Sequence, residues 1–314
     1  MEEQILRFYL KVFSFIFLVL IYFVYILFIK DISLKNNDII IKKNQNYVDI
    51  IDKNFNENQF NKLLYKFIIK FLLLSDMKIH YGKFNINDGS NYFLILKSIS
   101  SPSKYINKIT IIEGSSKKEL KERLEVFFKN YKIPEYSKVI ADTYYINYGS
   151  SFEELDKQFK KNYIKVINNY KDHKLLEFFS IEEIFVIGSL LEKEGKGYLD
   201  KKKIFSVIIN RIKKEMKLQI DATVIFALTK GNKELLRKLT LKDLKIKDEF
   251  NTYYIYGLPP SPISYVGLET IELIFENYKT NYLFYFYNAL ENNHVFSENY
   301  EEHLFKLNEY RAKK

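Results

Sequence analysis

The chain has 314 residues, 47% of them hydrophobic, which leaves room for a membrane segment and one or two cored domains. It contains no cysteine, so disulfide staples, thiol nucleophiles and thiolate metal sites are excluded. The formal charge of +10 is spread as abundant lysine, with no basic block interleaved with aromatics; a solvated surface is expected and nucleic acid is not an expected partner.

Val12 to Ile29 reads VFSFIFLVLIYFVYILFI, 18 residues without a charge, bracketed by Lys11 and Lys30. About 30 Å of hydrocarbon requires a run of this order. No small-x-small cleavage site follows, so an uncleaved single-pass anchor is expected, with residues 1–11 as a cytoplasmic tail and 12–29 as the span. Arg7 and Lys11 precede the span, while Lys30, Lys35, Lys42 and Lys43 follow it. That count leans against an extracytoplasmic domain, so its placement outside must be argued from function.

Beyond the span, Ile39–Ile41 and Lys83–Ile86 read as strands, with Tyr47–Phe55 and Phe60–Leu74 at helical spacing between them. A related plan follows in Lys108–Ile112 and the helix candidate Lys117–Phe128. Ser115 or Ser116 with Glu119 forms a capping box there. Ser100-Ser101-Pro102-Ser103 is a joint between these small α+β units. After Tyr136 the pattern is mainly helical, over Phe152–Tyr170, Ile181–Glu194 and Lys203–Met216. Three of the five prolines stand in Gly257-Leu258-Pro259-Pro260-Ser261-Pro262, a rigid loop that cannot pair as a sheet, and Tyr282–Phe286 reads as an aromatic strand. The expected fold class is α+β: an N-terminal transmembrane helix, a small α+β unit over residues 30–106, and a mixed, mainly helical domain over 107–314.

One residue draws attention as an acid. On the Ile181–Glu194 helix, Ile184, Ile187, Leu190 and Leu191 share a broad apolar face, and Glu194 continues it. A carboxyl at the end of a buried helix is partly desolvated, which raises its pKa and suits it to act as a general acid. Gly195 and Gly197 are expected to let the chain turn beside it. Taken alone, a glutamate near a helix end is more often a solvated residue in a frayed turn. His80, His173, His294 and His303 show no metal-ligand spacing and no serine sits in a nucleophile elbow, so no metal or cofactor is expected.

Gly188-Ser189-Leu190-Leu191-Glu192-Lys193-Glu194 resembles the active-site helix of the endolytic murein transglycosylases of the MltG (YceG-like) family. Further blocks follow in the family's order: Ser206–Arg211, Leu218–Val224, Asn251-Thr252-Tyr253, Gly257–Ile263 with Gly267, and Asn293–Ser297 with His303. Ala141–Tyr144 resembles a segment upstream. The resemblance covers residues 107 to 314 well and 39 to 86 more weakly, where the family carries a LysM-like unit.

The resemblance implies a lytic transglycosylase that cleaves the MurNAc–GlcNAc bond of nascent peptidoglycan strands and leaves 1,6-anhydroMurNAc ends. It assigns Glu194 as the catalytic residue, with Glu192 the runner-up. Glu192, Gln219, Asp221, Thr223, Asn251, Thr252 and Tyr253 match positions expected to bind the glycan; a capping or turn role competes for the Asn and Asp residues. The expected partners are glycan strands and the membrane, with peptidoglycan synthases as candidates. Two departures stand out: Gly195, where the family usually has a hydroxyl or other small residue, and Ser261, where it has glycine. His294 is expected to serve core packing before the groove. The alternative reading is an inactive wall-binding scaffold of the synthesis machinery.

Overall fold

A computed structural model describes residues 2–42, 45–74 and 77–313; Lys43 of the charge count lies outside them, as do the terminal Met1 and Lys314. The chain divides into two compact units, Met1–Lys108 with Tyr145–Ser151, and Ile109–Tyr144 with Phe152–Lys314.

In the first unit, α1 (Glu2–Val24) runs on through a π-helical turn over Tyr25–Ile29. Glu3–Ile29 is long and apolar enough to cross a membrane, with almost none of it buried by the rest of the chain. Strand β1 (Asp38–Ile41) is followed by helices α2 (Tyr47–Asn54) and α3 (Gln59–Leu74), then by β2 (Gly82–Asn85), which pairs antiparallel with β1. Helix α4 (Tyr92–Ile99) completes the unit's core; its N-cap Asn91 accepts from the Leu94 amide. Ile39, Ile50, Tyr65 and Tyr92 are buried together there. The boundary with the second unit falls inside β3 (Ile106–Thr110), beyond the Ser100–Ser103 joint.

The second unit continues with α5 (Lys117–Glu125), capped by the reciprocal Ser116–Glu119 box. Strand β4 (Ile140–Ala141) follows, then β5 (Thr143–Asn147), whose last three residues belong to the first unit, and helix α6 (Phe152–Asn168). Next come α7 (Ile181–Glu194), α8 (Tyr198–Lys213) and α9 (Asp221–Thr229). The chain closes with β6 (Val266–Gly267), α10 (Leu268–Phe275), the hairpin β7 (Phe284–Asn288) and β8 (Asn293–Ser297), and α11 (Tyr300–Lys313).

Helices α7, α8 and α10 pack on one another around a core that includes Ile187, Leu190, Phe205 and Ile274. Every residue of α7 from Ile184 to Leu191 is buried, so this helix is held by packing all round rather than along one stripe. A second reciprocal box, Ser180 with Glu183, closes its N-terminus. Helix α8 begins at Tyr198, a turn and more before the expected Lys203; its N-cap Gly197 offers no side-chain cap to mark the start.

The parallel pairing of β4 with β6 places Val266 against α7. At Gly188 a Cβ would come within 2.7 Å of Val266 Cγ1, and Val266 is fully buried and stiff at χ1. Alanine there gains about 1 kcal/mol of helix propensity but incurs an overpacking cost of about 1–3 kcal/mol. Gly188→Ala should therefore lower stability by about 1 kcal/mol, read as a lower melting temperature of the full chain in detergent.

Candidate active site

Helix α7 delivers Glu194 at its C-terminal residue, where the carboxyl leaves the core half-buried. Burial pushes its pKa up, and the Asp221 carboxylate adds to that. Three influences pull the other way: a hydrogen bond from the Tyr285 hydroxyl to Oε2 at 3.3 Å, the imidazole of His294, and a hydrogen bond from the backbone N–H of Ala222. Ala222 lies in the first turn of α9, so that donor is one of the free amides at a helix N-terminus, where negative charge is stabilised. The net direction is upward. Glu194 is thus an acid that holds its proton above the usual carboxylate range, with donors already aimed at the carboxylate it becomes.

Glu192, two residues away, is differently placed. Lys201 Nζ donates to its Oε2 at 2.6 Å, and the Gly267 amide to its Oε1 at 3.1 Å. The two charged side chains are 3% and 9% exposed, and Lys201 also donates to Thr270 Oγ1. This is a buried ion pair joining α7, α8 and α10. It also explains Gly195. Neither Gly195 nor Gly197 uses the left-handed region, so the helix does not end by the expected glycine turn. A Cβ on Gly195 would meet Lys201 Cγ at 2.3 Å, so glycine is required there by the lysine stem.

The remaining sequence-derived residues fall into two groups. Asp221 and Tyr253 act electrostatically with Glu194, and the Tyr253 hydroxyl donates to Asp221 Oδ1 at 2.7 Å; Gln219 and Asp221 are exposed. Both Asp221 and Glu194 raise the pKa of the Tyr253 phenol, although its burial is the larger cause. Thr223, Asn251 and Thr252 are fully buried. Thr223 Oγ1 and Thr252 Oγ1 are 2.9 Å apart, and the Ile220 amide donates to Thr252 Oγ1. Asn251 Nδ2 donates to the carbonyls of Leu244 and Ile246, and its Oδ1 accepts from the Tyr253 amide. These three side chains fix the loop and leave no polar atom turned to a ligand. Gln219 is held at φ +53°, a left-handed conformation for a non-glycine residue, by its amide's bond to Thr252 O.

Four contributors were not singled out from the sequence. Tyr285 lay inside the expected aromatic strand and Arg211 inside a recognised block, but neither carried a local signal for its role. Lys201 and Asp200 had none. Asp200 Oδ2 lies 2.7 Å from His294 Nδ1, and His294 packs edge-on to the Tyr285 ring, so the histidine is both packed and part of the site. The proline loop runs irregularly, as expected, and returns to α7 where the Ile263 amide donates to Ser189 Oγ.

The YceG-like family model matches residues 39–309. The Bacillus subtilis protein named endolytic murein transglycosylase is 32% identical over 228 residues, 69% of this chain and 62% of that protein. A Streptococcus pneumoniae protein of the same name is 28% identical over 162 residues, 51% of this chain and 29% of that one. The match therefore spans less than two thirds of either relative's length. A 2.6 Å crystal structure of a yceG-like protein from Listeria monocytogenes superposes with a TM-score of 0.53 at 24% identity, covering 87% of this chain and 99% of that one. It shares the fold.

The raised pKa of Glu194 has a consequence for stability. Between its unfolded and folded pKa values the folded state binds more protons, so stability falls as pH rises through that window. Glu194→Gln removes the penalty. It should melt above the wild type at neutral pH, and the difference should close below about pH 4, where the unfolded carboxyl is itself protonated. Melting curves from acid to neutral pH check this; a variant that melts below the wild type at pH 7 contradicts it.

Proposed function

The chain belongs to the YceG-like family, and from that premise we propose that it is a membrane-anchored endolytic murein transglycosylase with Glu194 as its single acid and base. The observation that carries the reading is the Glu194 carboxyl itself, raised by burial yet met by Tyr285 and the Ala222 amide. A proton-holding carboxyl suits the first step, in which it protonates the glycosidic oxygen as the C1–O bond of N-acetylmuramic acid breaks. The donors suit the second, in which the carboxylate takes the proton of the sugar's 6-hydroxyl while that oxygen bonds C1. The nucleophile belongs to the substrate, so its effective concentration is high and no activated water is needed.

In this reading Gln219, Asp221 and Tyr253 touch the glycan, which the exposure of Gln219 and Asp221 and the Tyr253–Asp221 hydrogen bond support, and Thr223, Asn251 and Thr252 hold the loop. Glu192 is the brace beneath the acid. The order β1–α2–α3–β2 in the first unit supports reading it as LysM-like and glycan-binding. Helix α1 supports the single-pass anchor, with the site on the outer side where glycan strands are and where peptidoglycan synthases would be met.

Hydrolysis is the second reading, because Asp221 acts electrostatically on Glu194 and could serve as the further carboxylate that a glycosidase uses. The detergent-solubilised full chain, incubated with uncrosslinked glycan strands, should yield 1,6-anhydro ends by mass spectrometry. Glu194→Gln should lower that yield by at least about 100-fold. Glu192→Gln should mainly lower the melting temperature, since it strips a buried lysine of its partner. Reducing ends would favour hydrolysis, and no cleavage by the wild type would leave only a scaffold.

A further inference from the structure

Helix α3 is apolar on two faces. Tyr65, Ile68 and Ile69 enter the core of the first unit. On the other side Phe60, Leu63, Phe67, Phe71 and Leu74 stand between 61% and 80% exposed. At about 100° per residue these five fall within an arc of about 80°. Three of them are phenylalanines, and a contiguous exposed stripe of this kind on a helix marks an interaction surface. Lys62 and Lys70 stand along one border of the stripe, while Lys66 between them is held by Asp52 Oδ1 at 2.7 Å.

The surroundings say what covers it. The end of α1 is built into the same unit: Ile26 is buried in its core, Lys30 Nζ lies 2.5 Å from Glu57 Oε2, and Asn91 Nδ2 donates to Phe28 O at 2.6 Å. Glu57 stands two residues before α3 begins. An apolar groove runs between the two helices, lined by Phe15, Leu18 and Tyr22 of α1 and Phe60, Leu64 and Ile68 of α3. The stripe is thus continuous with the surface of the apolar α1 helix, and the joint between them is rigid rather than a linker.

We propose that the outward face of α3 is a membrane-seating surface, with Phe60, Leu63, Phe67, Phe71 and Leu74 in the bilayer that α1 crosses and the lysine border at the headgroups. The proposal rests on reading α1 as an anchor. The chemistry is that of an interfacial helix: aromatic and aliphatic side chains below, and lysines whose stems lie along apolar surface while their charges reach anionic lipid. It makes α3 a second membrane contact beside the span and fixes the tilt of the first unit on the bilayer.

The chain contains no tryptophan, so Phe67→Trp introduces a single tryptophan on the stripe, which is excited selectively over the 26 tyrosines. The full-length variant is reconstituted in vesicles of phosphatidylcholine and phosphatidylglycerol, with and without brominated acyl chains. Flotation with the vesicles reports the anchor independently. The expected result is flotation, blue-shifted emission, and quenching by the brominated lipid, with Leu63→Trp behaving alike. Flotation with water-like, unquenched emission overturns the proposal and leaves the anchor standing. Blue-shifted emission that brominated lipid does not quench overturns it in favour of a protein cover. Failure to float removes both readings.

Discussion

The arrangement around Glu194 depends on one buried cation. Arg211, at the end of α8, is 7% exposed and has no carboxylate at its guanidinium among the described residues. Its NH1 donates to the carbonyls of Lys217 and Leu218, and its Nε to that of Leu283. The first two carbonyls lie on the stretch that leads into α9 and so to the Ala222 amide. The third lies two residues before Tyr285. Both donors to Glu194 are therefore carried by segments that one guanidinium ties to α8. Burying a charge against carbonyl dipoles and the Phe284 ring, 5.4 Å from the guanidinium carbon, with no counter-charge among the described residues is costly, and its pKa is depressed by desolvation accordingly. The fork geometry of arginine is what allows three acceptors on two segments to be met at once, which a lysine could not do.

That scaffold resolves a conflict that the proposed single acid and base faces. A carboxyl must be desolvated to keep its proton, yet the carboxylate it leaves behind must be supported. At Glu194 the desolvation comes from α7, whose buried length ends there. The support comes from elements that do not belong to α7: a phenol on β7, an amide at the start of α9 and an imidazole on β8. Because the two demands are met by different elements, each can be strong. His294 in turn is steadied by Asp200 at the start of α8, which links the hairpin to the helix that holds Arg211.

The sequence made the elements of the site legible but not its division of labour. Helix α7 was readable to the residue from its apolar run, because it is buried on all sides; the Ser180–Glu183 box at its start was not read. Helix α9 was not read as a helix. It starts at Ile220 without a side-chain cap, so the usual opening signal is missing and its first-turn amide is left for Glu194. Helices α4, α10 and α11 and strand β8 were also passed over. Two of these helices are only eight residues long, and α11 has no buried residue, so propensity and periodicity had little to act on. The polar residues of the matching blocks were found together, but sequence could not separate those that face outward from those that hold the loop. Thr223 and Thr252 have the chemistry of ligand-binding residues, and only their mutual hydrogen bond shows the difference.

The pair Glu192 and Glu194 shows why that separation matters. Two residues along a helix turn the side chain by about 200°, so neighbouring carboxylates in one motif face nearly opposite ways. One direction leads to Lys201, Thr270 and the Gly267 amide, where the carboxylate is neutralised and fixed. The other leads to Tyr285, Ala222 and the surface, where a proton can be given and taken back. The ion pair beneath also excludes a side chain at Gly195, so the chain leaves α7 close against Lys201 and the last turn cannot fray. The residue that follows the acid is glycine here because the brace below it needs the space, and the brace is what keeps the acid at the end of a firm helix.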